Sequence, residues 1–125
     1  MNLNQVTLPA TDIPRSVAFY SAMGFRQIVE DNHYARFLCP VGDATFSIHK
    51  TDAESVKSSF VVYFETEHLD EKVEELKKLG FIFTQEPRDE SWLWREARLL
   101  DPSGNTICLY FADENRINPP WRINP

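Results

Sequence analysis

Leu100-Asp101-Pro102-Ser103-Gly104-Asn105-Thr106-Ile107-Cys108-Leu109-Tyr110-Phe111 reads as a strand, a tight turn and a returning strand. Asp101-Pro102 opens the turn, because proline presets φ at a turn's second position and the aspartate before it accepts from backbone donors ahead. Gly104-Asn105 supplies residues that tolerate positive φ, which the return of the hairpin needs. From Thr106 onward the residues alternate, with Ile107, Leu109 and Phe111 on one face and Thr106, Cys108 and Tyr110 on the other. One face is core. What occupies the other decides what the protein can do.

Working back from this hairpin, Leu93 to Leu100 and Phe81 to Gln85 read as strands. Before them lies a helix with Leu69, Val73, Leu76 and Leu79 at helical spacing, closed by Gly80. Phe60 to Glu65 is an alternating strand with Phe60, Val62 and Phe64 on one side. This half reads β-α-β-β-β. The first half repeats the order. Gln5 to Pro9 is a short strand with Val6 and Leu8 toward the core. Thr11 or Asp12 caps a helix that begins near Pro14, carries Ile13, Val17 and Tyr20 on one face and stops at Gly24. Arg26 to Glu30, His33 to Cys39 and Ala44 to Lys50 are three further strands, the last two turned by Pro40-Val41-Gly42-Asp43. The charged stretch Thr51 to Ser59 has no apolar period and reads as the link. Asp12-Ile13 through Gly24-Phe25 matches His68-Leu69 through Gly80-Phe81 at a constant offset of 56 residues, so the halves are an internal repeat.

Composition bounds the function. With 125 residues, 42% hydrophobic and 26% charged, the chain is sized and mixed as a soluble globular protein. A net charge of -6 argues against a general nucleic-acid binder, which needs a basic stripe. No apolar run approaches the ~20 residues of a membrane span, and the N-terminus lacks a basic-then-apolar signal. Two cysteines, Cys39 and Cys108, make no disulfide framework. A reduced, cytoplasmic protein is the expectation.

The chain resembles the vicinal oxygen chelate superfamily, which holds glyoxalase I, bleomycin-resistance proteins and extradiol dioxygenases. The resemblance runs roughly from Gln5 to Phe111. It rests on Asp12-Ile13-Pro14-Arg15-Ser16-Val17-Ala18-Phe19-Tyr20 with Gly24-Phe25, on Leu69 to Gly80, and on Asp101-Pro102-Ser103-Gly104-Asn105. It implies an α+β fold in which two βαβββ modules form a curved mixed sheet, with a concave cleft inside and the helices on the outer face. It further implies one domain over 1–125, built from repeats 5–50 and 60–111 with a Pro-rich arm at 112–125, and a homodimer, often with clefts that take strands from both chains.

The resemblance also places a metal centre at four positions, normally histidine, glutamine or glutamate. Here they hold Gln5, Ser47, Val61 and Cys108. The hard divalent ions of the family want carboxylate and imidazole donors, and this set has neither. No metal and no cofactor are expected. One escape is an improvised site of Gln5, His49 and Cys108.

Parity lists what lines the cleft instead. With Ile107 and Leu109 under the helices, Cys108 and Tyr110 face the other way. Gln5 and Thr7, Ser47 and His49, and Val61, Tyr63 and Glu65 follow, as do Trp94, Glu96 and Arg98 if Ala97 and Leu99 are core. Arg36 joins them on a strand whose parity is ambiguous, since Tyr34, Phe37 and Leu38 are all apolar. Mixed aromatic and polar walls suit a small-molecule pocket. Each has a plainer reading: Glu96 and Arg98 as an ion pair, Trp92 and Trp94 as interface or core, Cys108 as an apolar filler, His68 as a helix-cap residue. The tail repeats Arg116-Ile117-Asn118-Pro119 as Arg122-Ile123-Asn124-Pro125 around Pro120-Trp121, and reads as an extended arm laid over this chain or its partner. Two functions survive. One is a metal-free binding protein for a small molecule, aromatic or cationic. The alternative is a glyoxalase I-like lyase or isomerase, or a dioxygenase-type enzyme, with an altered metal site or with Glu96, His49, Glu65 or Cys108 as its reactive groups.

Overall fold

The computed structural model describes residues 1–52 and 59–123, so most of the expected link and the last two residues of the arm lie outside the described residues. The chain forms two compact units, one of 1–60 with Asp101–Asn105 and one of 61–100 with 106–125.

The first unit runs β1 (Gln5–Ala10), α1 (Ile13–Met23), β2 (Arg26–Glu30), β3 (Tyr34–Leu38) and β4 (Thr45–Lys50), with sheet order β1-β4-β3-β2. The second runs β5 (Val61–Glu65), α2 (Leu69–Lys78), β6 (Phe83–Asp89), β7 (Arg95–Leu100) and β8 (Thr106–Phe111), with order β5-β8-β7-β6. In each sheet the first strand pairs in parallel with the fourth, and the other pairs are antiparallel. The fold is α+β, built of two βαβββ modules. Among the described residues no helix is long and apolar enough to cross a membrane.

Local chemistry accounts for the element ends. Asp12 caps α1 by accepting from the Arg15 N–H at 3.1 Å, Pro14 fits the first turn, and Gly24 closes the helix at φ 115°. The buried face of α1 is Ile13, Ser16, Tyr20 and Met23, while Val17 is only half-buried. In α2, Leu69, Val73 and Leu76 are buried, and Asp70 and Glu71 sit in the first turn with Lys77 and Lys78 in the last, as the helix dipole favours. His68 stands at its N-cap without a side-chain capping bond. Leu79 is exposed, because the helix has already ended there.

Three segments differ from the sequence reading by more than one residue at an end. β6 begins at Phe83 and continues through Pro87 to Asp89. A proline is tolerated there because β6 is an edge strand, and its ladder shifts register on both sides of Gln85. β7 starts at Arg95 rather than Leu93, because Leu93 has a positive φ of 68°. The arm opens with a 3-10 helix, Asp113–Arg116, where an extended segment was expected. Beyond it Trp121 and Ile123 are exposed, so they are not laid over the described chain.

The core of the first unit is aromatic. Tyr20, fully buried, meets Phe25, Phe37 and Phe46 with ring centroids 4.8 to 6.2 Å apart. Its hydroxyl donates to Asp101 Oδ2 at 2.6 Å. The same carboxylate accepts from the Ser103 and Asn105 N–H groups at 2.9 and 2.8 Å and from Asn105 Nδ2 at 2.7 Å. Asn105 Nδ2 also donates to the Pro9 carbonyl at 2.8 Å. Gly104 alone takes the positive φ of the turn, 89°, and Asn105 is needed for its amide instead. Burial and the adjacent Asp101 charge push the Tyr20 hydroxyl far above its ordinary range.

Hydrogen bonds to a charged group contribute about 1.5–3 kcal/mol, so Tyr20→Phe should lower unfolding free energy by about that much. Urea unfolding with an unchanged m-value checks it. A loss below about 0.5 kcal/mol would mean that Asp101 finds another donor.

Candidate functional site

Each sheet has one face covered by its helix and one that is not. In the first unit, register aligns Thr7 and Arg36 with Ser47 across β1-β4-β3. Ser47 is fully buried and its hydroxyl is engaged by Gln5 Nε2 and Thr7 Oγ1, each at 2.8 Å. Gln5 Oε1 accepts from the Thr45 hydroxyl. Arg36 Nε donates to the Tyr34 hydroxyl at 2.9 Å, with the guanidinium carbon 5.4 Å from the ring centroid. The ambiguity of this strand is thereby resolved. Ala35 and Phe37 are core, and Tyr34 and Arg36 face away from it. The Ser47 hydroxyl and the Arg36 charge hold the Tyr34 hydroxyl below its ordinary range. His49 is exposed and lies four ladder positions from Thr45, the partner of Gln5. At about 3.3 Å per residue that is roughly 13 Å along the strand. Gln5 and His49 therefore cannot share a metal whose bonds are about 2 Å long.

In the second unit, Tyr63 and Arg98 align with Cys108, and Glu96 and Glu65 with Tyr110, across β5-β8-β7. Glu96 is 1% exposed. Its Oε2 accepts from Trp92 Nε1 at 2.7 Å, and its Oε1 from Arg98 Nη2 at 3.2 Å and from Cys108 Sγ at 3.6 Å. The indole of Trp94 stacks on Tyr110 with centroids 4.6 Å apart and planes 18° apart. Tyr63 meets both rings edge-on at 5.8 and 5.6 Å. Cys108, Tyr110 and Ala112 form a buried cluster with Val61 and Trp94 against it.

The loop ahead of β7 sets the two indoles. Glu90 N–H donates to the Trp94 carbonyl at 2.8 Å and Leu93 N–H to the Glu90 carbonyl at 3.0 Å. Leu93 bridges them in the left-handed region, a conformation that a side chain makes costly and that here separates Trp92 from Trp94. Trp94 Nε1 reaches the Asn115 carbonyl at 3.4 Å. Glu65 caps the chain after β8: its Oε2 accepts the Ala112 and Asp113 N–H groups at 2.8 and 2.9 Å, and its Oε1 lies 3.7 Å from Arg116 Nε.

Accessibility divides the expected lining residues. Gln5, Thr7, Arg36, His49 and Tyr63 are exposed, and Val61, Trp94 and Arg98 are half-buried. Ser47 in the first unit, and Glu96, Cys108 and Tyr110 in the second, are buried on the faces their own sheets leave uncovered by a helix. Half-buried Tyr34 and exposed Trp92 lie among these side chains too, although parity did not assign them. Trp92 lies in a loop with no period to assign it, and Tyr34 was masked by its apolar neighbours. Two open depressions, of about 630 and 250 Å³, lie elsewhere, along the charged residues of α2.

A family model for the glyoxalase/bleomycin resistance protein/dioxygenase superfamily matches residues 2–109. The chain belongs to that superfamily. No curated protein matches it significantly. Among solved structures it is similar to a bleomycin-binding protein complexed with bleomycin (22% identity, 89% of this chain and 98% of that one, TM-score 0.71). It is also similar to a bleomycin resistance determinant encoded on the transposon Tn5 (22%, 90% and 99%, TM-score 0.74). A third is a lactoylglutathione lyase from Agrobacterium tumefaciens (14%, 94% and 96%, TM-score 0.73). At these identities the likeness is one of fold.

The four positions at which the superfamily resemblance places a metal do not suit one in this chain. Val61 has no donor atom. Gln5 and Ser47 are neutral and already bonded to one another. Burial, reinforced by the Glu96 charge, pushes the Cys108 thiol up to about 12, so without a metal it is protonated and donates to Glu96. Among the described residues no three His, Cys, Asp or Glu side chains gather to hold a metal.

The same pKa shift predicts behaviour in base. An unfolded cysteine ionises near 8.5, so between there and about 12 the unfolded chain releases a proton that the folded one keeps. The contribution of Cys108 is complete below about pH 8.5 and is lost as pH rises toward 12. Cys108→Ala should remove about one proton from the slope of stability against pH in that window, read by urea titration. An unchanged slope would place the thiol's ionisation elsewhere.

Proposed function

We propose that this superfamily member binds a small planar molecule on the aromatic face of the second unit, without a divalent metal. One observation carries the reading: Tyr63 stands exposed against Trp94, and Trp92 stands exposed on the Glu96 carboxylate, beside buried polar groups that are bonded to each other. Glu96, Cys108 and Arg98 hold one another, and Glu65 holds the chain after β8. Such a surface offers flat walls and few reactive groups. A buried thiol that donates to a carboxylate is no nucleophile, and a carboxylate held by three donors is poorly placed to take a proton.

The energetics favour sequestration. Covering ~200 Å² of apolar ligand surface is worth roughly 5 kcal/mol before association costs. Stacking on rigid aromatic side chains adds about 0.5–1.5 kcal/mol per pair. Two structurally similar proteins are named for binding or resisting bleomycin, which supports a binding role in this part of the superfamily. The expected homodimer and cytoplasmic setting are part of the same reading.

Trp92 and Trp94 report on the site directly. Titration with 2-naphthamide should quench tryptophan emission saturably. Trp94→Ala should weaken binding at least fivefold, because its ring supports both Tyr63 and Tyr110. Native mass spectrometry of the same sample, with and without added zinc, nickel and manganese, should show twice the chain mass and no stoichiometric metal. One metal per chain retained through buffer exchange would sink the metal-free reading.

A further inference from the structure

We propose that the ligand of this face is an acid, a planar aromatic anion of the carboxylate class, met by the guanidinium of Arg98. The inference rests on the binding role proposed above and adds the sign of the ligand's charge.

A chain with net charge -6 would be expected to draw cations. On this face the local chemistry points the other way. The Glu96 carboxylate cannot be touched, since it is 1% exposed beneath three donors. Glu90, its neighbour across the loop, has a side chain only 11% exposed, and its Oε1 already accepts from Arg88 Nε at 2.7 Å and Gln85 Nε2 at 3.2 Å. The Glu65 carboxylate is occupied by two backbone N–H groups and Arg116. An ammonium ligand would find Glu96 sealed and Glu90 nearly so, and would have to compete with Arg116 for the one edge left, Oε1 of Glu65, whose side chain is 30% exposed.

Arg98 is the complement. Its side chain is 28% exposed, and only Nη2 is engaged, by Glu96 Oε1 at 3.2 Å and the Tyr63 hydroxyl at 3.4 Å. Among the described residues Nε and Nη1 have no acceptor. A guanidinium held at one nitrogen keeps its planar fork and offers the rest as paired donors, the geometry that matches a carboxylate. Its carbon lies 6.0 Å from the Tyr63 ring centroid, so the anion site adjoins an exposed aromatic wall. An acid group on a flat ring would meet both at once.

The repeat carries the same device. Arg36 stands opposite Ser47 as Arg98 stands opposite Cys108, and each guanidinium lies over a tyrosine ring. The tyrosines come from different strands, Tyr34 from β3 and Tyr63 from β5, so the recurring element is the arginine and its ladder position.

Calorimetric titration of the full chain with three probes that share one ring tests the sign: 2-naphthoate, 2-naphthamide and 2-naphthylmethylamine. Naphthoate should bind at least tenfold tighter than the amide, and the amine most weakly. Raised salt should narrow the gap. Arg98→Gln should abolish the preference for the acid while leaving the amide within about twofold. Since that variant strips Glu96 of a partner, Arg98→Lys provides the second arm. It keeps the charge, loses the fork, and should retain only part of the preference. Equal binding of acid and amide, or tightest binding of the amine, overturns the charge assignment and leaves the binding role standing. Binding of none of the three overturns both.

Discussion

A carboxylate taken out of water must have its charge matched by donors at hydrogen-bonding distance, and each unit of this protein is built around one. In the first, Asp101 gathers the Tyr20 hydroxyl, two backbone N–H groups and the Asn105 amide. In the second, Glu96 gathers an indole, a guanidinium and a thiol. The two solutions differ in what they organise. Asp101 is satisfied mostly by its own turn, so it fixes backbone and orients one aromatic core. Glu96 is satisfied wholly by side chains, so it fixes Trp92, Arg98 and Cys108 relative to one another.

That difference bears on chemistry. Groups that could serve as acid, base, nucleophile or metal ligand are present at Glu96, Cys108, Glu65 and Gln5, and every one is occupied by a neighbour. In each unit the sheet face away from the helix carries side chains bonded to one another, and in the second unit rings pack beside them. The positions are retained as geometry, while their donors face inward to the protein. A serine in β4 and a cysteine in β8 occupy equivalent ladder sites, and both act as small buried hubs for larger side chains.

The repeat, the order of elements and the parity of the strands were legible in the sequence, because period-2 alternation in β8 and the helix-Gly-Phe recurrence are one-dimensional signals. Depth was not. Parity put Ser47 on the face of Gln5, and Cys108 and Tyr110 on that of Tyr63, but only packing buries Ser47, Cys108 and Tyr110. Glu65 had the right parity for a site residue, yet its partners are N–H groups at 112 and 113, which no local pattern announces. Trp92 could be named but not assigned to a face, because loops carry no period. Val17 and Leu79 fitted the apolar helical spacing, yet Val17 lies at the margin of the buried stripe and Leu79 is the C-cap beyond the last turn of α2.

Pro87 in β6 has a consequence for association. An edge strand exposes a row of backbone donors and acceptors onto which another chain can add a strand. A proline removes one donor from that row, and the irregular pairing around Gln85 breaks the repeat that an incoming strand would have to follow. This edge is a poor template for sheet extension, and that margin of the second sheet is correspondingly a poor seed for a fibril.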